Sequence, residues 1–265
     1  MLIGMVGAGR VARALGRELA GCGWRVVPID SRAPLGGIRT VLIAVADDAL
    51  AKVAEALAEV YPSGDGVALH TSGAHGAEIL APLAAKGFEC GTLHPLQTLS
   101  NGDCHVLRGI AFAISGSEKA VAFAEQTVAA LDGTALHIRP EHRATYHAAA
   151  VMASNYITAL IHAAGQLLQL AGVTGVECRR ALGPLIRQSV ENALDQEPAN
   201  ALTGPIRRGD AGTVAVHLAA LNSAPQSLRK LYRACGMYTL DVAREGGLSV
   251  ELASRIEKLL QCKSL

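Results

Sequence analysis

"LIGMVGAGRVARALG", residues 2–16, is the stretch whose reading decides the fold. A short apolar run, residues 2–6, meets a glycine turn and then a helical pattern from about Val11. The glycines follow the pattern Gly7-x-Gly9-x-x-Ala12. In a nucleotide-binding turn the first glycine permits the sharp bend. The second lets the backbone approach a phosphate, and the third keeps helix and strand close. Alanine satisfies the last of these needs, so Ala12 is a tolerated variant. The helix N-terminus then offers free N–H groups and a partial positive charge.

Asp30 lies about 20 residues further on, at the end of the second apolar run, where a ribose-binding acid belongs. The stretch is therefore read as a dinucleotide cradle, with Gly7, Ala8, Gly9, Arg10 and Val11 at the phosphates and Asp30, Ser31 and Arg32 at the ribose. The choice of dinucleotide stays open. Asp30 favours the free 2′-hydroxyl of NAD, whereas the guanidinium of Arg32 offers a fork of donors to the 2′-phosphate of NADP. NADP is slightly favoured, because a Ser-Arg pair has little structural reason to follow that strand.

Outward from this stretch, short apolar runs alternate with helical patterns. Strands are expected at residues 2–6, 25–30, 40–46, 66–70, 88–93, 110–114 and 135–138, and helices at 11–20 and 48–60. Near Arg139-Pro140-Glu141 the character changes. Residues 142–171 read as one long helix, and 176–198, 211–223, 225–244 and 249–262 as further helices punctuated by Pro198, Gly204-Pro205, Gly209 and Gly246-Gly247. The fold class is thus α/β, an N-terminal Rossmann-type doubly wound sheet over residues 1–140 followed by an all-α C-terminal domain over 141–265.

Composition narrows the function. Half of the 265 residues are hydrophobic but only 3% are aromatic, so the core is built largely of Ala, Val and Leu. Lys+Arg number 24 against Asp+Glu 23, which argues against nucleic acid as a partner. The pairs Arg179-Arg180 and Arg207-Arg208 are too short to make a patch. The six cysteines form no CxxC pair, and no metal is expected, although Cys104-His105 has the chemistry for one. They read as mostly buried thiols of a cytoplasmic protein, and the N-terminus shows no signal peptide. Residues 144–176 carry no charge, yet His147, Asn155, His162, Gln166 and Gln169 argue against a membrane span.

Several polar stretches are chemically loaded. "HTSGAHG" (70–76) and "GTLHPLQTLSNG" (91–102) follow strands at the carboxyl edge of the expected sheet, where ligands of such folds bind. His70, Ser72, His94 and Gln97 could approach a substrate there. At about 100° per residue, Ser154, Asn155, Thr158, His162 and Gln169 fall within about 80° of His147 on the long helix. An uncharged polar stripe suggests a face buried against the active site or a partner subunit. "ALTGPIRRGD" (201–210) is a turn with Asp210 as helix N-cap and two arginines able to reach an acidic group.

In order along the chain, "IAVADDAL" (43–50), "HTSGA" (70–74), "LHPLQT" (93–98), "YHAAAVMASN" (146–155) and "LTGPIRRGD" (202–210) resemble a family of bacterial proteins. That family joins a Rossmann-like domain to a C-terminal domain of unknown function, DUF2520. It is similar in architecture to the 6-phosphogluconate dehydrogenase-like superfamily, with its β-hydroxyacid dehydrogenases, ketopantoate reductase, pyrroline-5-carboxylate reductase and prephenate dehydrogenase. The resemblance implies a nicotinamide cofactor, with Val45 and Ala46 joining the cofactor-binding set. It also implies an active site between the domains and a homodimer built through the helical domain. Some relatives in the superfamily bind a flavin or deazaflavin instead.

β-Hydroxyacid dehydrogenases carry a catalytic lysine four residues before an asparagine on the first interdomain helix. Counting back from Asn155 gives Val151, so that proton donor is absent. The expected reaction is hydride transfer between nicotinamide and a small keto or hydroxy acid or an imine. His94 and His147 are the expected acid/base pair, because the imidazole pKa lies near neutrality. Ser72 and Asn155 would orient the substrate and Arg208 would anchor a carboxylate. The alternative is a non-catalytic NAD(P)-binding sensor or interaction protein, which the missing lysine favours.

Overall fold

The computed structural model describes residues 1–32, 37–100, 107–173 and 175–262, and of Arg179 the backbone alone. The Cys104-His105 pair and the Arg179 side chain considered above lie outside the described residues. The chain divides into two compact units, Met1–Asn155 and Tyr156–Leu265.

The first unit is built on β1 (Leu2–Val6), β2 (Arg25–Pro28), β3 (Thr40–Ile43), β4 (Gly66–His70), β5 (Phe88–Pro95), β6 (Ala111–Gly116) and β7 (Thr134–His137). They form one sheet in the order β2-β1-β3-β4-β5-β6-β7. All neighbours are parallel except β5 and β6. The exception follows from the connection. Residues 96–100 and 107–110 carry no helix, and a parallel return needs a crossover of a dozen or more residues, usually helical. The antiparallel pairing of His94 with Ala113 and Pro95 with Phe112 also carries β5 two residues past the expected end at residue 93.

Helices α1 (Arg10–Gly21), α2 (Leu50–Val60), α3 (Ala81–Ala84) and α4 (Glu118–Ala130) cover both faces. Strand side chains alternate between two cores, as the pleat requires. Leu42, Leu69, Leu93 and Phe112 pack with α1 and α4, through Leu15, Leu19 and Ala124. Val41, Ile43 and Ala68 pack with α2 and α3, through Leu50, Leu57 and Leu83. Buried on both sides, these strands read as apolar runs rather than as alternating patterns.

The expected long helix is present in three parts. These are α5 (Arg143–Val151), a π-helical turn (Met152–Tyr156) and α6 (Ile157–Leu170). The compact units therefore divide inside this helix, not at residues 140/141. Its first half belongs with the sheet because Arg143, 3% exposed, is held there by hydrogen bonds described below. The π turn also corrects the polar stripe. A turn with i→i+5 bonds takes in an extra residue, so a uniform count of about 100° per residue does not carry past Met152.

The second unit continues with α7 (Val176–Asp195), α8 (Pro198–Ala201), α9 (Gly204–Arg207), α10 (Ala211–Ala220), α11 (Gln226–Glu245) and α12 (Val250–Gln261). Asp210 caps α10 as its sequence position suggested, accepting from the Thr213 N–H at 2.9 Å. Ile206, Val214, Leu240 and Ile256 make one core of this unit, and Ala163, Leu221 and Leu228 a second.

Candidate active site and cofactor cradle

The parallel strands β1, β3, β4 and β5 end on one edge, so the loops after Val6, Ile43 and His70 and the end of β5 share it. The strand order reverses at β1. The following helices α1 and α2 lie on opposite faces, leaving a crevice between β1 and β3.

The glycine turn fills that crevice's mouth. Gly7 has φ +113°, and a Cβ there would fall 2.2 Å from the Ala44 carbonyl oxygen. No side chain fits, so the chain passes β3 only with glycine at this position. Gly9 is the N-cap of α1, with φ −71° and no neighbour within 4 Å of the place a Cβ would occupy. The second glycine is thus not demanded by the fold; it leaves open space over the helix end. No side chain caps α1, so its first N–H groups remain available. Ala12 is buried in the core, as the close-packed third position requires.

Two arginines that the sequence reading passed over or placed only loosely shape this turn. Arg13 donates to the Ala8 carbonyl at 2.7 Å and Arg10 to the Leu99 carbonyl at 2.7 Å. Val45 borders Gly7, and Ala46 follows it, exposed. Asp30 is exposed, and its Oδ1 accepts the Arg32 N–H at 2.9 Å in an Asx turn. The backbone hydrogen bond from Ile29 to Met5 keeps this loop beside the end of β1. The structure therefore brings Gly7, Gly9, Val45 and Asp30 to neighbouring strand ends.

Next along the edge lies a polar cluster. His94 Nδ1 and the Tyr146 hydroxyl are 2.7 Å apart, and the rings of His94 and His147 meet edge to face at 6.1 Å. Gly73 makes this approach possible. A Cβ at that position would lie 2.7 Å from His147 Cδ2 and 2.8 Å from His94 Nε2. Beneath them the buried Arg143 donates to the Ser72 carbonyl at 2.8 Å, to Thr92 Oγ1 at 3.2 Å and to Ser115 Oγ at 3.3 Å. Its Nε is buried with no hydrogen-bond partner among the described residues. Arg143, Tyr146 and His147 stand three and four residues apart, the spacing that puts side chains on one helix face. The sequence reading missed Arg143 and Tyr146; a basic residue one turn before a candidate histidine was the available signal.

The other candidates have narrower settings. His70 is fully buried. Its Nδ1 accepts the Ser72 N–H at 3.2 Å, so Nε2 carries the proton and donates to the Gly76 carbonyl at 2.9 Å. Ser72 Oγ accepts from the N–H groups of Ala74 and His75, both at 3.2 Å. These two side chains hold the 70–76 loop under the cluster. Gln97 Oε1 accepts the N–H of Thr98, its neighbour. Asn155 sits exposed on the π turn, its Oδ1 2.8 Å from Ser154 Oγ. Arg208 belongs to the helical unit, where it is exposed.

Burial sets the protonation of the cluster. Desolvation, helped by the positive charge of Arg143, pulls His70 and His94 down to about 4. His147 contributes further to the shift at His94. Burial also pushes Tyr146 up to about 12. At neutral pH the Tyr146–His94 pair is therefore a phenol and a neutral imidazole sharing one hydrogen bond. This corrects the basis on which His94 was chosen, since the fold moves its pKa well away from neutrality.

Comparison with known proteins places this geometry. A family model described as a Rossmann-like domain matches residues 36–95, and one described as a domain of unknown function, DUF2520, matches residues 110–239. No curated protein matches the chain. Among solved structures, a candidate NADP oxidoreductase from Bacteroides fragilis is 21% identical, with a TM-score of 0.71 over 91% of this chain and 98% of its own. Protein TM1727 from Thermotoga maritima is 22% identical, with a TM-score of 0.68 over 92% and 98%. The pyrroline carboxylate reductase of Plasmodium falciparum, solved with NADP bound, is 13% identical, with a TM-score of 0.58 over 97% and 99%. At these identities the likeness is one of fold.

The two lowered histidines make stability depend on acid. Both are neutral when folded and ionise near 6.5 when unfolded, so the unfolded chain binds more protons between about pH 6.5 and 4. The unfolding free energy should fall as pH drops through that window, with a slope nearing about two protons around pH 5. Urea unfolding at stepped pH reads this slope, and His94→Gln should reduce it by about one proton.

Proposed function

We propose that this chain, which belongs to the family joining a Rossmann-like domain to a DUF2520 domain, is an NAD(P)-dependent oxidoreductase acting on a small keto or hydroxy acid or an imine. The observation that carries this reading is the pair of glycines at the β1 edge. Gly7 is required by the fold, whereas Gly9 is not. A glycine kept where any small side chain would fit leaves room for something outside the chain, and the uncapped N-terminus of α1 favours an anion there.

The residues suited to the cofactor are Gly7, Ala8, Gly9, Arg10 and Val11 at the pyrophosphate, with Val45 and Ala46 beside them. Asp30, Ser31 and Arg32 suit the ribose, and the exposed guanidinium of Arg32 supports NADP over NAD. Once bound, the nicotinamide supplies or accepts hydride. The protein's own task is the proton, which a carbonyl oxygen or imine nitrogen takes up as carbon is reduced. His147 and the hydrogen-bonded Tyr146–His94 pair are the groups in this reading that hold that proton. In this reading a neutral His94 gives its Nε2 proton to the substrate oxygen or nitrogen while Nδ1 takes the Tyr146 hydroxyl proton, and the phenolate is then reprotonated from solvent. Ser72, through the 70–76 loop, and Asn155 position the substrate. A binding role without chemistry is the second reading, favoured by Val151 standing where dehydrogenases of the superfamily carry lysine.

The helical unit supports the homodimer. The helix over Pro140–Leu170 is long and apolar enough to cross a membrane by length and composition, and little of it is buried. Leu160, Leu185 and Leu194 on α6 and α7 are likewise exposed. A second copy covers such a face better than lipid does, given His147, Asn155 and His162 along the same helix. The unpaired thiols Cys22, Cys90, Cys178, Cys235 and Cys262 suit a reducing cytoplasm.

Because the Gly9 backbone is unstrained and open, Gly9→Ala should lower the urea midpoint only slightly, as a poorer N-cap, yet weaken NADPH binding at least about tenfold by calorimetry. Unchanged affinity would sink the cradle. In turnover with NADPH over a panel of keto acids and cyclic imines, His94→Asn and His147→Asn should each lower kcat by about 10²–10⁴. Two fully active variants would remove the acid/base assignment, and tight binding with no turnover of any substrate favours the sensor. Light scattering during gel filtration should return twice the chain mass; a stable monomer contradicts the dimer, and a requirement for detergent points to lipid.

A further inference from the structure

A second feature of the helical unit goes beyond the dinucleotide reading and does not depend on it. The segment Leu202–Asp210 folds around α9 against the turn at Gly247-Leu248-Ser249. Together they line a shallow pocket, open to solvent, of about 800 Å³, within the range of small-molecule sites. Arg207 and Arg208 both line it, and Asn200, Thr203 and Ser249 add neutral polar groups. Leu202, Leu248 and Leu252 supply an apolar side. Among the described residues no carboxylate lines it.

Several acids of this unit are engaged with other groups. Asp210 lies close enough to Arg208 to feel its charge, but both of its carboxylate oxygens are taken by Thr213, at 2.9 Å and 2.6 Å. Asp241 and Glu257 bind Arg244, and Glu251 binds Arg255. Arg207 is half-buried, with no ion pair among the described residues. Gly246 leaves room for it. A Cβ on Gly246 would meet Arg207 Nε at 3.3 Å and the Ala199 carbonyl at 3.0 Å. Gly204 and Gly247 take φ +90° and +89°, conformations that L side chains rarely adopt, in open space. A guanidinium fork thus stands beside an apolar wall.

We propose that this cavity binds a small organic anion, its carboxylate or phosphate on the Arg207 fork with Arg208 alongside, and its apolar body against Leu248 and Leu252. The fork geometry matches either oxyanion in bidentate fashion.

The full-length protein is titrated by calorimetry with inorganic phosphate, with 2-oxopentanoate and with uncharged 2-pentanone. The expected result is saturable binding of at least one anion and none of 2-pentanone. Arg207→Met should weaken that anion at least about tenfold and Arg207→Lys by less, the lysine keeping the charge but losing the fork. Preference for 2-oxopentanoate identifies a carboxylate ligand with an apolar body; preference for phosphate identifies a phosphorylated one. Equal affinity in wild type and Arg207→Met, or no anion binding to the folded wild type, overturns the site. If Arg207→Met does not fold, Arg207→Lys and Thr203→Val decide in the same way. NADPH titrated into the same samples tests the dinucleotide reading separately, since Gly9→Ala should affect that titration and leave the anion untouched.

Discussion

The hydrogen bonds of one buried cation connect the polar edge of the sheet unit. Arg143 reaches from the start of α5 to the Ser72 carbonyl, Thr92 and Ser115, so it ties the loop after β4 to β5 and β6. A guanidinium at 3% exposure is costly to desolvate, and neutral oxygens compensate only in part. The arrangement persists because those oxygens stand on strands whose register is set by the two cores on either face. In return the helix is fixed at its first turn, and Tyr146 and His147, one turn on, are delivered to His94.

The burial that closes over this cation also sets the chemistry of the edge. Loss of water disfavours the charged imidazole, and the Arg143 charge adds to that effect. His70 and His94 are accordingly held neutral, the first as a structural link between the Ser72 N–H and the Gly76 carbonyl, the second as partner to a phenol. Gly73 contributes through absence, since any side chain would occupy the space that the imidazoles of His94 and His147 share. An acid/base group here works as part of a hydrogen-bonded pair in a positive setting rather than as an isolated imidazole titrating near neutrality.

Much of this was legible along the chain. Each expected strand overlaps an observed one; the central strands, buried on both faces, write themselves as apolar runs between glycines. The long helices past Pro140 were legible from punctuation and period, and the Asp210 cap from its position before an apolar stretch, whereas the short α9 falls in residues 201–210, expected as a turn. The cradle at Gly7 and Gly9 was legible because backbone sterics act over a few residues. What escaped were non-local matters. The antiparallel turn of β6 goes with a connection whose described residues carry no crossover helix, and the π turn at Met152–Tyr156 shifts a face count that assumes a uniform period.

The sequence by itself determined the alternation of elements, the glycine turn and the change to helix. All three depend on short-range sterics and on which side chains leave water. Only the tertiary structure decided that Arg143 is buried, that Tyr146 rather than a remote group meets His94, and that Arg207 faces a cavity without a carboxylate. Those outcomes depend on strand register and on which charges are brought within a few ångströms, and residues 50 to 70 positions apart acquire that proximity only when the sheet closes around them.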